Sequence, residues 1–161
     1  MRLLRLSANK PGFHTITFNK TGISLIIGKR ENPDIKNDKK TYNGLGKSLI
    51  IQLIHFCLAS NPIDEFENKL PDWEFTLEFE IDTEPFIAKR STANQKQIIL
   101  NGETITLEKL RSYLGERLFY LEKLVRWLTF RSLISRFIRP KRGSYQSYND
   151  FVHKEEDYPR L

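Results

Sequence analysis

The sequence predicts an α/β fold of α+β character, in which a mixed or antiparallel sheet surrounds a buried helix and further helices follow. Three patterns support this prediction. Residues 23–28 form a β-branched apolar run, which is typical of a strand buried on both faces. Residues 49–59 are apolar except for Gln52 and His55, and are too long for an average strand, so we interpret them as a buried helix. Residues 73–82 alternate between apolar and polar side chains, which predicts a half-exposed strand.

The remaining strands follow from shorter patterns. Residues 3–6 begin a first strand, and a Pro-Gly turn then leads to a second strand over residues 13–18. Residues 86–90 and 97–100 continue the alternating strand into an antiparallel meander. Asn101-Gly102 is a strong signal for a hairpin at the end of this meander.

Helices are predicted for the last third of the chain. Thr106 is placed to cap a helix that runs to Leu114, with Gly115 at its C-terminal end. Residues 116–139 carry two apolar stripes at helical spacing, and Pro140 ends this pattern.

The bulk composition limits the class of protein. A chain of 161 residues with 39% hydrophobic residues is long enough to bury a core. Its net charge of +6 favours an anionic partner, with nucleotide, nucleic acid and anionic membrane all open. Cys57 is the only cysteine, so no intrachain disulfide can form. No stretch is apolar enough for a signal peptide or a membrane span, and we therefore expect a cytoplasmic protein without membrane contact.

Residues 43–48, Asn-Gly-Leu-Gly-Lys-Ser, have the residue types that bind a polyphosphate. Gly44 and Gly46 let successive backbone N–H groups turn towards phosphate oxygens, and a helix starting near Gly46 directs its N-terminal amides at the same anion. Lys47 would reach the β- and γ-phosphates, and Ser48 would be a hydroxyl ligand of Mg²⁺. The competing interpretation is an ordinary turn with a helix cap. The flanking apolar strand and helix favour the phosphate loop, or P-loop.

The loop departs from the usual spacing. Where the common pattern has its first glycine, this chain has Thr41, and we assign that role to Gly28 at the end of the apolar run. Residues 29–42 would then be a polar insertion within the phosphate loop, folded out over the nucleotide or the surface. His55 and Cys57, in the predicted buried helix, are expected to be core residues rather than ligands or nucleophiles.

The string 43–48 resembles the nucleotide loop of SMC- and RecN-type ABC ATPases, and residues 22–28 resemble the strand that leads into it. A closer resemblance is to a bacterial family of coiled-coil, SMC-like proteins, some of them encoded beside defence or mobile-element genes. The polar insertion, the segment 53–58 and the segment 130–139 are the features that resemble this family.

The resemblance implies a P-loop ABC-ATPase-like N-terminal lobe at residues 1–115 and a helical extension at 116–161 that leads towards a coiled coil or a second half. It implies ATP and Mg²⁺ as ligands, with Ser48 on the metal. The implied nucleotide-binding residues are Gly28, Asn43, Gly44, Leu45, Gly46, Lys47, Ser48 and Leu49.

Other parts of such a site are absent from the sequence. No apolar strand after the loop ends in Asp or Asp-Glu, and there is no Ser-Gly-Gly signature. We therefore expect no catalytic residue in this chain and little hydrolysis by it alone. The chain looks like an N-terminal fragment or a split half, which would need a C-terminal half and a dimer of heads. The resemblance suggests a role in DNA maintenance or anti-phage defence.

A basic segment supports an alternative from another class, a non-enzymatic nucleic-acid-binding module. Residues 126–142 contain six positive side chains and no acidic one, and such a helix could neutralise DNA phosphates. The same residues could equally form a solvated helix face or the packing site of a second half. An amphipathic helix on an anionic membrane ranks last, because its apolar face is needed for the core. The six residues are Arg126, Arg131, Arg136, Arg139, Lys141 and Arg142.

Overall fold

A computed structural model describes residues 1–27, 46–121 and 128–138. Within these ranges the chain forms six strands and four helices. Their bounds, in chain order, are β1 Arg2–Ala8, β2 Ile16–Thr17, α1 Lys47–Cys57, α2 Asp64–Lys69, β3 Glu74–Ile81, β4 Glu84–Ser91, β5 Gln97–Leu100, β6 Glu103–Thr106, α3 Leu107–Phe119 and α4 Phe130–Ile134.

The six strands form one sheet in the order β2-β1-β3-β4-β5-β6, and every described pair is antiparallel. The predicted antiparallel meander is therefore confirmed. Two tight hairpins set its register. Asp82 and Thr83 between β3 and β4, and Asn101 and Gly102 between β5 and β6, all have positive φ, as a two-residue turn that matches the strand twist requires.

The core lies on the face of the sheet that α1 and α3 cover. Phe75, Leu77 and Phe79 of β3 point into it and are at most 1% exposed, which confirms the alternation predicted for this strand. Phe56 of α1 meets Phe75 edge to face, with ring centroids 6.4 Å apart. Phe79 stacks on its cross-strand partner Phe86, with centroids 5.4 Å apart.

The opposite face of the sheet carries charge pairs between β1 and β3. Arg2 contacts Glu80 at 2.8 Å, and Arg5 contacts Glu78 at 3.3 Å. Antiparallel pairing brings these side chains across from each other, so the two glutamates of β3 lie beside cations of the neighbouring strand.

The prediction of a buried strand at residues 23–28 is wrong for the described part of that run. Residues 23–27 form no strand, and Ile23, Leu25 and Ile27 are 87%, 81% and 72% exposed. Gly28 lies outside the described residues. The apolar pattern requires a neighbour on each face, and among the described residues no strand pairs with this segment.

The predicted end of the first late helix is also wrong. Helix α3 begins as expected, with the Thr106 hydroxyl accepting a hydrogen bond from the Lys109 amide, but it continues through Gly115 to Phe119. Tyr120, with a left-handed φ of 52°, ends it. Gly115 is buried because the next segment passes close: a Cβ there would lie 3.0 Å from Cδ1 of Leu121. The glycine therefore serves packing rather than helix termination.

The single helical stretch predicted for residues 116–139 is interrupted in the structure. After Tyr120, a new helix α4 starts at Phe130, with Thr129 and Ser132 forming a reciprocal cap. Residues 135–137 form turns. The predicted second strand at residues 13–18 is likewise shorter, since only Ile16 and Thr17 pair with β1.

Candidate functional site

The start of α1 has the geometry of an anion-binding helix terminus. Gly46 precedes the helix in the left-handed conformation, with φ 73° and ψ 10°, and the first helical hydrogen bond runs from the Ile50 amide to its carbonyl at 3.1 Å. Among the residues that the structure describes, no side chain caps the terminus, and the first turn contains no acidic residue. The first amides of a helix have no partner within the helix. Amides of this kind can bind an anion, and Ser48 is exposed beside them.

The structure describes half of the predicted nucleotide-binding set. Gly46, Ser48 and Leu49 lie together at the start of α1, and the backbone of Lys47 is its first residue. Leu49 is half-buried and packs against the core. The side chain of Lys47 lies outside the described part. The other predicted residues outside it are Gly28, Asn43, Gly44 and Leu45, together with the insertion 29–42.

Of the two polar residues of interest on α1, Cys57 is confirmed as a core residue. Its side chain is fully buried and burial raises the pKa of its thiol to about 12, although the charge of Arg90 acts in the opposite direction. A thiol in this state is not a nucleophile at neutral pH.

His55 differs from the expectation of a core residue. It is half-buried and lines an open cavity, and its Nε2 atom is buried without a hydrogen-bond partner among the described residues. Burial, followed by the charges of Arg131, Arg90 and Arg111, lowers the pKa of its imidazole to about 4. The ring is therefore neutral at physiological pH.

Three arginines converge on the C-terminal end of α1. Arg90 of β4 is 1% exposed and donates from Nη1 to the Phe56 carbonyl at 2.6 Å and from Nε to the Gln95 carbonyl at 3.0 Å. Arg111 of α3 donates from Nε to the Ala59 carbonyl at 2.9 Å. The same carbonyl accepts from Nη1 of Arg131 at 3.3 Å.

Sequence reasoning missed this cluster, although one signal for it was present. Phe86, Ala88 and Arg90 are alternate residues of one strand, so the two apolar positions place Arg90 on the same inward face. No local signal identifies Arg131, because its contact with Ala59 spans 72 positions along the chain.

Two of the six basic residues proposed to bind DNA are described. Arg131 is half-buried against Ala59, whereas Arg136 is exposed. Arg126, Arg139, Lys141 and Arg142 lie outside the described residues.

The described carboxylates do not assemble a metal site. Residues 1–27, 46–121 and 128–138 contain no group of three His, Cys, Asp or Glu side chains that could hold a metal ion. Ser48, the last residue of the predicted phosphate loop, carries a hydroxyl group, which is an oxygen ligand that suits Mg²⁺. In the same ranges, no helix is long and apolar enough to cross a membrane.

Any functional assignment of this site rests on the residues described above, because two comparisons with known proteins gave no match. A scan against protein-family models gave no match. A search of curated proteins gave no significant match either.

Proposed function

We propose that residues 43–48 form a phosphate loop that binds Mg-ATP, and that this chain is the N-terminal half of an SMC-like ABC ATPase head. The observation that carries the proposal is the start of α1. There, Gly46 adopts the left-handed conformation immediately before an eleven-residue helix, and no described side chain caps its terminus. The helix dipole places about half a positive charge at such a terminus, which favours a phosphate group.

The roles of the neighbouring side chains follow from their chemistry. Lys47 would place its ammonium group on the β- and γ-phosphates, and the exposed Ser48 hydroxyl would coordinate the metal. Mg²⁺, when bound there, would neutralise part of the charge of the phosphates. No described atom lies within 4 Å of the position that a Cβ on Gly46 would take.

The described carboxylates support binding without efficient hydrolysis. Hydrolysis needs a residue that orients the attacking water. Glu78 and Glu80, on the strand that follows the loop, are beside Arg5 and Arg2 on the outer face of the sheet. Glu78 and Glu80 are thus not placed for this role. In this proposal a second half supplies the water-positioning carboxylate, and we expect phosphate release by this chain alone to be close to the uncatalysed rate.

The exposed apolar segment 23–27 supports the half-head part of the proposal. Water-exposed Ile and Leu side chains in one continuous run are unusual for a free monomer surface. A strand of the C-terminal half, in the same chain or in a separate one, would bury them. The biological role proposed with this assignment is DNA maintenance or anti-phage defence by a dimer of such heads.

The metal dependence of ATP binding tests the site. ATP affinity is measured by calorimetry with and without Mg²⁺ for the wild type, for Ser48→Ala and for the control Ser112→Ala, an exposed serine of α3. We expect Mg²⁺ to increase affinity in the wild type and in the control, and to have a much smaller effect in Ser48→Ala. An equal effect of Mg²⁺ in all three proteins would contradict the proposed role of Ser48.

A further inference from the structure

Residues 23–27 present a row of apolar side chains to solvent. Ile23, Leu25 and Ile27 are each more than two thirds exposed, whereas Ser24 is half-buried and Ile26 is 38% exposed. The most exposed side chains therefore occupy alternate positions, as they do on one face of a strand. We refer to Ile23, Leu25 and Ile27 as the apolar row.

The start of this segment is fixed to the edge of the described sheet. Strand β2 is an edge strand, and its pairing with β1 continues through a hydrogen bond from the Phe18 amide to the Leu4 carbonyl at 2.9 Å. Asn19 then closes a turn, because its backbone N–H donates to the Ser24 hydroxyl and its Nδ2 donates to the Ile23 carbonyl, each at 2.8 Å. The first residues of the segment are therefore held in place, which reduces the entropy lost when the segment binds a partner.

The segment lacks the usual protection against association. Within the described ranges, no hydrogen bond joins the backbone of residues 25–27 to another residue. Exposed sheet edges commonly avoid pairing with other chains by carrying charged side chains or proline. Residues 21–28 contain neither. The apolar row and the backbone beside it are therefore open to another chain.

We propose that residues 23–27 of two copies of this chain contact each other in a weak, symmetric dimer. The symmetry of the apolar row favours a second copy as the partner, because Ile, Leu and Ile read the same in either direction. In an antiparallel arrangement about a two-fold axis, Leu25 of one copy meets Leu25 of the other, and Ile23 meets Ile27. Every contact within the row is then between two apolar side chains.

The exposed area limits the strength of this contact. A fully exposed Ile or Leu side chain offers on the order of 100 Å² of apolar surface, so the apolar row and Ile26 would bury about 300 Å² in each copy. The pair would bury about 600 Å² in total, which is below the value of about 1,200 Å² at which standard stable interfaces begin. The dimer is therefore weak and reversible, and the chain is a monomer at low concentration.

This dimer does not depend on the function proposed above. It needs no nucleotide, which separates it from a dimer of heads formed around ATP. The proposed second half would cover the same segment, so the second half and the second copy would compete for it.

Sedimentation equilibrium of the full chain, without nucleotide and with a reducing agent, tests the dimer. Over a range from about 10 μM to about 1 mM, which suits a weak interface, the average mass should rise from that of one chain towards that of two. Added sodium chloride should strengthen the association, because two copies with a net charge of +6 repel each other. Lys47→Ala should associate as the wild type does. A constant mass of one chain, or association that requires Mg-ATP, would overturn the proposal.

Variants locate the contact. Leu25→Lys places two like charges opposite each other on the two-fold axis and should weaken the association at least about tenfold. Ile87→Lys is the matched control, because it adds the same charge at an exposed position of β4, opposite Glu78, and should change the affinity by less than about twofold. Ile23→Lys provides the comparison if Leu25→Lys does not fold. Equal affinity in the folded segment variant and in Ile87→Lys would contradict the assignment.

Discussion

The guanidinium of Arg90, on strand β4, donates a 2.6 Å hydrogen bond to the backbone carbonyl of Phe56 near the end of helix α1. The same guanidinium lies over the Phe56 ring, with Cζ 4.1 Å from the ring centroid. Burial lowers the pKa of Arg90 to about 10, so the group remains charged at neutral pH. This buried cation therefore joins the sheet to the helix that begins at the proposed phosphate loop.

Replacement of Arg90 should destabilise the fold strongly. Arg90→Leu leaves the carbonyls of Phe56 and Gln95 without this donor, and we expect a loss of about 3 kcal/mol or more in the free energy of unfolding. Arg90→Lys should also cost about 2 kcal/mol, because an ammonium group lacks the planar fork that reaches both carbonyls. Urea denaturation measures both changes. The neighbouring Lys89→Leu, at an exposed position, should stay within about 0.5 kcal/mol, and equal effects at positions 89 and 90 would contradict the account.

The stability of the protein should fall in acid because of His55. Its pKa is lowered from 6.5 to about 4 on folding, so between these values the folded state binds fewer protons than the unfolded state. Stability is therefore greatest above pH 6.5 and is lost as the pH falls towards 4, by about 3 kcal/mol in total. Urea denaturation at pH values across this window should show a steeper loss for the wild type than for His55→Gln. Parallel curves for the two proteins would show that His55 does not cause the loss.

The exposed apolar segment should contribute little to the stability of this chain. Leu25 is 81% exposed, whereas Leu53 of α1 is fully buried. We expect Leu25→Asn to change the free energy of unfolding by less than about 0.5 kcal/mol, and Leu53→Asn to lower it by more than about 3 kcal/mol. Thermal or urea denaturation compares them. A large loss in Leu25→Asn would mean that the segment is covered within this chain.

Gly46 should be sensitive to substitution for backbone reasons alone. Its φ of 73° is unfavourable for other residues, while a Cβ would meet no described atom within 4 Å. We expect Gly46→Ala to lose about 1–2 kcal/mol of stability through the left-handed conformation. It should also weaken ATP binding, since the added methyl group hinders close approach of phosphate to the amides. Calorimetry and denaturation are measured on the same samples. Full stability together with unchanged ATP affinity would show that this conformation is not required.

Local patterns predicted the parts of the fold that local chemistry decides. The alternation of β3 arises because one face of the strand is buried. The cap of α3 needs a hydroxyl group three residues before the amide that it accepts from. Both features could therefore be predicted from neighbouring residues in the sequence. Gly115 was misassigned because a glycine serves helix ends and close packing equally well. The difference depends on Leu121 and Phe130, which approach only in the folded chain.

The residues of the candidate sites also differ in whether local sequence patterns could predict them. Gly46 and Ser48 belong to a contiguous motif, and their place at the start of α1 could be predicted from six residues. The contact between Arg131 and Ala59 could not, because it joins residues 72 positions apart in the chain. The one sequence signal for the buried Arg90 was its position on β4, where it alternates with Phe86 and Ala88 on the face that points into the core.

The most direct test of the central claim is the affinity of the wild type and Lys47→Ala for Mg-ATP, measured by isothermal titration calorimetry. Lys89→Ala, which removes an exposed lysine from β4, is the matched control, and thermal denaturation checks the fold of all three proteins. Loss of the phosphate contact should reduce affinity by about 2–3 kcal/mol, or about 30- to 150-fold, in Lys47→Ala alone. Equal Mg-ATP affinity in the wild type and Lys47→Ala, with both folded, would contradict the phosphate-loop assignment.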